Sequence, residues 1–263
     1  MAHSAVPILT YHSLDGSGSV LSTPPSVFRQ QMQAFRRSGF QGIALGDLLD
    51  GWDGKSGLPS RPLVLTFDDA FRSVLEHGLP VLAEMGFRAT VFAVAGYIGR
   101  TNDWPTQPAG VPRLPLCSWT DLRDLTRVVE IGAHGFDHRP LLESMDEHAR
   151  AHEVVDGRSA LEDGLGAPVT LFAYPYGVAG TATREAVRRT YRAACGVAMG
   201  KASSGDDRHH LARVDAYYLR PPAATRLFGT RAGDVYLSLR AVGRGVRAMG
   251  GAPHYGPPGD ERG

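Results

Sequence analysis

The chain has 263 residues, 43% hydrophobic and 21% charged, proportions that suit a globular protein with one large buried core. Its 28 Lys and Arg against 27 Asp and Glu leave a formal charge of +1, which argues against a nucleic-acid partner. The two cysteines, Cys117 and Cys195, lie far apart and outside any CxxC pair, so they read as small core residues and exclude a disulfide framework.

Residues 6–11 form an apolar run followed by a Gly/Ser-rich stretch through Ser19, which predicts a buried strand with a loop at its C-terminal end. A helix is expected from Ser26 to Gly39: Ser26 caps it, Phe28, Met32 and Phe35 share one face, and Gly39 ends it. Residues 63–67 read as a second strand, 71–85 as a helix stopped by Gly86, and 89–94 as a third strand. Four prolines, Pro105, Pro108, Pro112 and Pro115, make residues 99–118 a loop, after which Ser118 caps a helix beginning at Trp119. Strands are then expected at 128–133, 169–173, 193–197 and 210–214, with helices at 148–165 and 183–190. Strands alternating with helices imply a parallel sheet covered by helices, and seven or so such units in this length suit an α/β barrel of residues 1–222.

Residues 223–263 differ in character. Val235, Leu239, Val242, Val246 and Met249 share one face of a helix, with Arg240, Arg244 and Arg247 beside it. This segment is expected to pack on the barrel, with an anionic membrane or a glycosyltransferase partner as the other contact it could make. After Gly250 the Gly- and Pro-rich tail reads as disordered. The start at Met1 shows no basic-then-apolar leader, and no apolar run is long enough to span a bilayer, so the expected location is the cytoplasm.

Chemistry concentrates at the ends of predicted strands, where α/β barrels build active sites. Leu65-Thr66-Phe67-Asp68-Asp69 ends a strand in two adjacent carboxylates. Such a pair repels itself and is costly to bury without a cation, although an exposed pair would serve equally to cap a loop. His134-Gly135-Phe136-Asp137-His138 follows another strand, and two imidazoles so spaced can turn toward one ion. In Tyr174-Pro175-Tyr176-Gly177 the Pro and Gly flank an aromatic in a tight turn that can hold a backbone N–H in place. His12 ends the first strand. Each motif alone is as well explained by ordinary structure; four of them in order around one barrel are not.

These residues resemble the polysaccharide deacetylase family, with the NodB-homology fold (carbohydrate esterase family four). Thr66 to Asp69 matches its first motif, His134 to His138 its second, and Tyr174 to Gly177 resembles its third, over roughly residues 6–220. The resemblance implies a distorted (β/α) barrel and a divalent metal, zinc ahead of cobalt or nickel, held by Asp69, His134 and His138. It makes Asp68 the general base and the Tyr176 backbone N–H an oxyanion donor. The third motif lacks the usual preceding Arg, and the late Leu-x-His motif is missing. Both departures resemble a permuted subgroup that includes poly-N-acetylglucosamine deacetylases. In that subgroup an early Tyr-His supplies the acid, matched by His12, and a late Arg-x-Asp is matched by Arg213 and Asp215, which implies that Arg213 replaces the missing Arg. Ala70 stands where the family usually has Gly.

The implied activity is hydrolysis of an N-acyl amide, foremost N-acetyl, on an amino sugar or glycan. A non-sugar amide or formamide, or a silent carbohydrate-binding homologue, is the competing reading. Tyr97, Trp104 and Trp119 are candidate sugar platforms, with Trp119 placed in the substrate pocket together with Arg213 and Tyr176.

Overall fold

Apolar runs that do not alternate with polar residues must be covered on both faces, and a parallel sheet wrapped by helices meets that need. The computed structural model describes residues 5–249. The strands are β1 (Val6–Tyr11), β2 (Gln41–Ile43), β3 (Pro62–Phe67), β4 (Ala89–Ala93), β5 (Val129–Ala133), β6 (Leu171–Ala173), β7 (Ala193–Met199), β8 (Lys201–Ala202) and β9 (Leu211–Asp215). The helices are α1 (Pro25–Arg37), α2 (Leu45–Trp52), α3 (Leu79–Met85), α4 (Trp119–Leu125), α5 (Glu147–Ala151), α6 (Gly157–Leu165), α7 (Thr181–Thr190), α8 (Pro222–Leu227) and α9 (Arg231–Met249).

Leaving out β2 and β8, the other seven strands run parallel and close on themselves in the order β1-β3-β4-β5-β6-β7-β9, because β1 pairs with both β3 and β9. This is the expected barrel. The short β2 pairs with the first half of β3 (Gly42 opposite Leu63), while β4 takes the second half (Thr66 opposite Thr90). β8 runs antiparallel beside the start of β1. Inward positions are Val6, Ile8, Val64, Phe92, Leu171 and Leu211, which form one apolar cluster with Leu45, Leu48 and Leu49 of α2. Gly132 of β5 makes room inside this cluster, since a Cβ there would lie 2.5 Å from the Phe92 ring.

α2 lies across the N-terminal ends of the strands and was not predicted from sequence. Its first residues donate N–H groups to Thr90 and Glu130 near β4 and β5. At its other end Asp50 and Asp53 bond Arg192, and Asp53 also bonds Arg208. The barrel is therefore stoppered at its base, and its open end is the one formed by the C-terminal ends of the strands.

Two predicted caps fared differently. Ser118 accepts the N–H of Asp121, and the Asp121 carboxylate returns a bond to the Ser118 N–H, a complete capping box. Ser118→Ala is expected to cost about 1 kcal/mol, read as a lower urea midpoint with an unchanged slope. Ser26, in contrast, is not the cap of α1: the helix begins one residue earlier with Pro24 in that position, and no side chain caps it. The helix predicted at 71–85 starts at Val74 with one wide turn before α3, and Gly86 ends it in the left-handed conformation. Cys117 and Cys195 are both buried and unpaired.

The expected boundary after residue 222 falls inside α8. Ala224 and Phe228 belong to the main core, where Phe228 packs against Phe35 and Phe40. α9 also packs on the barrel, but by another face than expected. Gly233 and Leu237 are buried, whereas Val235, Leu239 and Val242 are more than half exposed. The cause is close approach: a Cβ on Gly233 would lie 2.1 Å from the Leu227 carbonyl oxygen, so the side bearing Gly233 and Leu237 turns inward. The side chains of Arg244, Val246, Arg247 and Met249, and the tail expected to be disordered, lie outside what is described. Among the described residues no helix is long and apolar enough to cross a membrane.

Candidate active site

The strand ends deliver their side chains through unusual backbone. Asp69, Ala70, His138 and Tyr176 have φ of 70°, 56°, 56° and 59°, and they are the non-glycine residues with positive φ among those described. Left-handed backbone costs a residue with a Cβ about 1–2 kcal/mol. Four such positions at one end of one barrel mark that end as a built site. Ala70 is fully buried, and its carbonyl accepts the N–H of Cys117.

Asp69, His134 and His138 are brought together and buried. Asp69 Oδ1 lies 3.4 Å from His134 Nε2 and 3.2 Å from His138 Nε2. One ligand atom from each of the three residues lies within 4.8 Å of the others. His134 Nδ1 is 2.8 Å from the Ala173 carbonyl. A carbonyl only accepts, so Nδ1 carries the proton and the Nε2 lone pair faces Asp69. Burial pushes the His134 pKa down to about 4, so the imidazole is neutral at neutral pH. Asp69 Oδ1 has no hydrogen-bond donor among the described residues. A buried carboxylate oxygen facing an imidazole lone pair, with no donor, is an arrangement that a divalent cation completes, and this donor set fits zinc and its neighbours.

Asp68 takes a different partner. Arg213 Nη1 and Nη2 donate to its two oxygens at 2.7 and 2.8 Å, while Arg213 Nε donates to the Gly196 carbonyl and Nη1 to Thr66. Both residues are at most 3% exposed. Burial alone would raise the Asp68 pKa, but the Arg213 guanidinium holds the carboxyl well below the usual carboxylate range. Arg213, expected in the substrate pocket and as the stand-in for the missing third-motif Arg, lines the cavity and grips Asp68 from β9.

The open end holds a cavity of about 230 Å³ lined by Asp68, Asp69, His134, His138, Tyr176 and His12, with Asp215 close by. Trp119 is not among its walls. Its ring packs on α6, where a Cβ on Gly164 would lie 2.2 Å from it, because the first turn of α4 faces the helix layer. Trp104 is the tryptophan in the wall, stacked on the His138 ring at 4.1 Å, and its Nε1 donates to the Tyr176 hydroxyl. Tyr97 sits edge-on to Trp104 at 5.5 Å, outside the lining. His209 and His210 also lie outside the lining.

Glu153 was missed. It is fully buried and accepts the N–H groups of Phe136 and Asp137 at 2.9 and 3.2 Å, holding the loop between the two histidines. Burial raises its pKa. The signal in the sequence is a Glu in helical phase with Gly157 and Leu161, on the buried face. Glu153→Ala leaves two backbone donors unsatisfied and is expected to cost about 2–4 kcal/mol, with Glu153→Gln recovering part of it in urea unfolding.

The sequence profile described as polysaccharide deacetylase matches residues 55–194. The chain belongs to the polysaccharide deacetylase family. YxkH of Bacillus subtilis (strain 168), named as a polysaccharide deacetylase, is 26% identical over 214 residues, covering 80% of this chain and 70% of that protein. The poly-beta-1,6-N-acetyl-D-glucosamine N-deacetylase of Escherichia coli (strain K12) is 23% identical over 139 residues. That match covers 50% of this chain but only 21% of the larger protein. The structure of IcaB from Ammonifex degensii superposes with a TM-score of 0.70 at 24% identity, covering 85% of this chain and 98% of that one. A Streptococcus pyogenes deacetylase, PplD in complex with acetate, gives 0.67 at 20% identity, covering 81% and 92%. Both are similar in fold to this deacetylase-family barrel.

Proposed function

We propose that this member of the family removes an acyl group, foremost acetyl, from the nitrogen of an amino sugar. The observation that carries the reading is the division of labour between two adjacent buried carboxylates, one gripped by Arg213 and the other facing two imidazoles. A divalent metal held by Asp69, His134 and His138 would supply Lewis-acid polarisation of the acyl carbonyl and acidify the attacking water.

Asp68 accepts the proton of that water. Arg213 keeps its carboxylate ionised and fixed in direction, and a lone pair remains on each oxygen beyond the bond to the guanidinium. The Tyr176 backbone N–H, aimed by the left-handed turn after β6, is assigned to the developing oxyanion. His12, which lines the same cavity, is assigned to protonate the departing nitrogen, without which an amide leaves poorly. The likeness to an N-acetylglucosamine polymer deacetylase supports the acyl group and the sugar.

The test is acetate release from N-acetylglucosamine oligomers and small N-acetyl sugar conjugates, comparing the native sequence with Asp68→Asn and His12→Ala. Release lowered about 10²–10⁴-fold in either variant, with folding retained by circular dichroism, is expected. Acetate release at the native rate in Asp68→Asn would overturn the assignment of the base. Deformylation of N-formyl sugars without deacetylation would reassign the acyl group.

A further inference from the structure

Beyond the strand ends the cavity changes character. Val20 and Leu21 from the loop after β1, Pro108, Ala109 and Val111 from residues 99–118, and Val197 of β7 supply aliphatic wall. Charged lining among the described residues is confined to Asp68, Asp69, Asp215 and Arg213. Asp215 accepts the Tyr217 N–H at 2.9 Å. No charged side chain is contributed by either wall loop.

These walls are preformed. Arg220 donates to the carbonyls of Ser19, Val20 and Ser22, pinning the loop that carries Val20 and Leu21. On the facing loop the fully buried Asn102 bonds Pro112 and Leu114, and Thr106 donates to the His138 carbonyl. Pro108 and Ala109 remain exposed, with Val20, Leu21 and Val111 half-buried. Aliphatic surface held rigidly in water is relieved by an apolar ligand. One further group points to a polar guest: Gln107 Nε2 is buried, lines the cavity and has no acceptor among the described residues. About 230 Å³ lies just under the range of about 300–1,000 Å³ typical of small-molecule sites.

We propose that the site takes one N-acylated amino sugar unit borne on an apolar aglycone, an alkyl or prenyl chain, entering end-on. This rests on the acyl-hydrolase reading above for the chemistry, but not for the shape of the guest. The sugar lies against the carboxylates of the strand ends with Gln107 as a donor, and the first carbons of the aglycone lie along Leu21 and Val111.

The experiment uses the metal-supplemented full chain and the methyl, butyl, hexyl and octyl glycosides of N-acetylglucosamine, below their micelle concentrations, beside N-acetylglucosamine oligomers. Acetate release gives kcat/KM, and calorimetry gives binding. Both are expected to improve about threefold per methylene over the first few carbons, with oligomers inferior to the octyl glycoside. Leu21→Ser with Val111→Ser is expected to flatten that slope. Binding that rises with chain length without acetate release keeps the pocket and overturns the N-acetyl reading. Acetate release with no dependence on chain length, or oligomers preferred throughout, overturns the pocket. Neither binding nor release overturns both.

Discussion

Replacing Arg213 by Met is expected to lower kcat/KM for acyl hydrolysis by about 10²–10³-fold and to destabilise the fold by about 3–5 kcal/mol. Arg213 and Asp68 are almost wholly buried and joined by two charge-assisted bonds. Removing the guanidinium strands a carboxylate out of water, so it must protonate or draw water in. The sign of the pH effect follows. The folded-state pKa of Asp68 lies below its unfolded value of about 3.9, so the pair's stabilisation is fully present above about pH 4 and is lost as pH falls through the folded value. In Arg213→Met burial is no longer opposed by that charge, so the Asp68 pKa moves up. The acid limb of the kcat/KM profile should move to higher pH with it. Arg213→Lys keeps charge but loses the fork, and should restore stability more than rate. Unfolding by urea and a pH–rate profile measure the two effects separately. An unshifted acid limb in Arg213→Met would mean that Asp68 is not the group that sets it.

The second large effect is expected at Asp69. Chelation should abolish acyl hydrolysis, and returning zinc or cobalt should restore it. Asp69→Asn should weaken metal binding by at least about 10²-fold by calorimetry and reduce activity to the chelated level, because a charged ligand is replaced by a weak neutral one. Metal should also raise the melting temperature. At 1,000 times its dissociation constant, a ligand bound only by the folded state adds about 4 kcal/mol. The same addition to Asp69→Asn should leave the melting temperature nearly unchanged. Equal metal affinity in both proteins would move the centre away from Asp69.

The resemblance drawn from residues 66–69 and 134–138 led directly to the family, because these motifs are contiguous and each follows a strand that reads as buried. One three-residue strand was less legible. β2 spans only Gln41–Ile43, too short for any periodicity to register, whereas β6 (Leu171–Ala173) was read within the longer apolar run 169–173. α2 carries apolar residues in helical phase over eight residues, but its role as a stopper depends on partners as distant as Arg192 and Arg208. Trp104 and Trp119 were both candidate sugar platforms, and Trp119 was the one expected in the substrate pocket. Hydrogen bonds from Trp104 and Thr106 to Tyr176 and His138 hold Trp104 in the wall, while Trp119 packs on α6.

What the sequence determined by itself is local: which residues end strands, which of them carry carboxylates or imidazoles, and that barrel strands alternate with helices. Covalent neighbours share a turn, so Asp68 with Asp69 and His134 with His138 could be grouped without any tertiary knowledge. The tertiary structure decided the pairings between remote segments. Arg213 reaches Asp68 across 145 residues, Gln107 joins the cavity wall, and the helix that starts at Arg231 buries Gly233 and Leu237 and leaves Val235 and Leu239 in water. Such choices depend on barrel closure and close backbone approach. They are energies of contact between segments, and no window of sequence contains both sides of them.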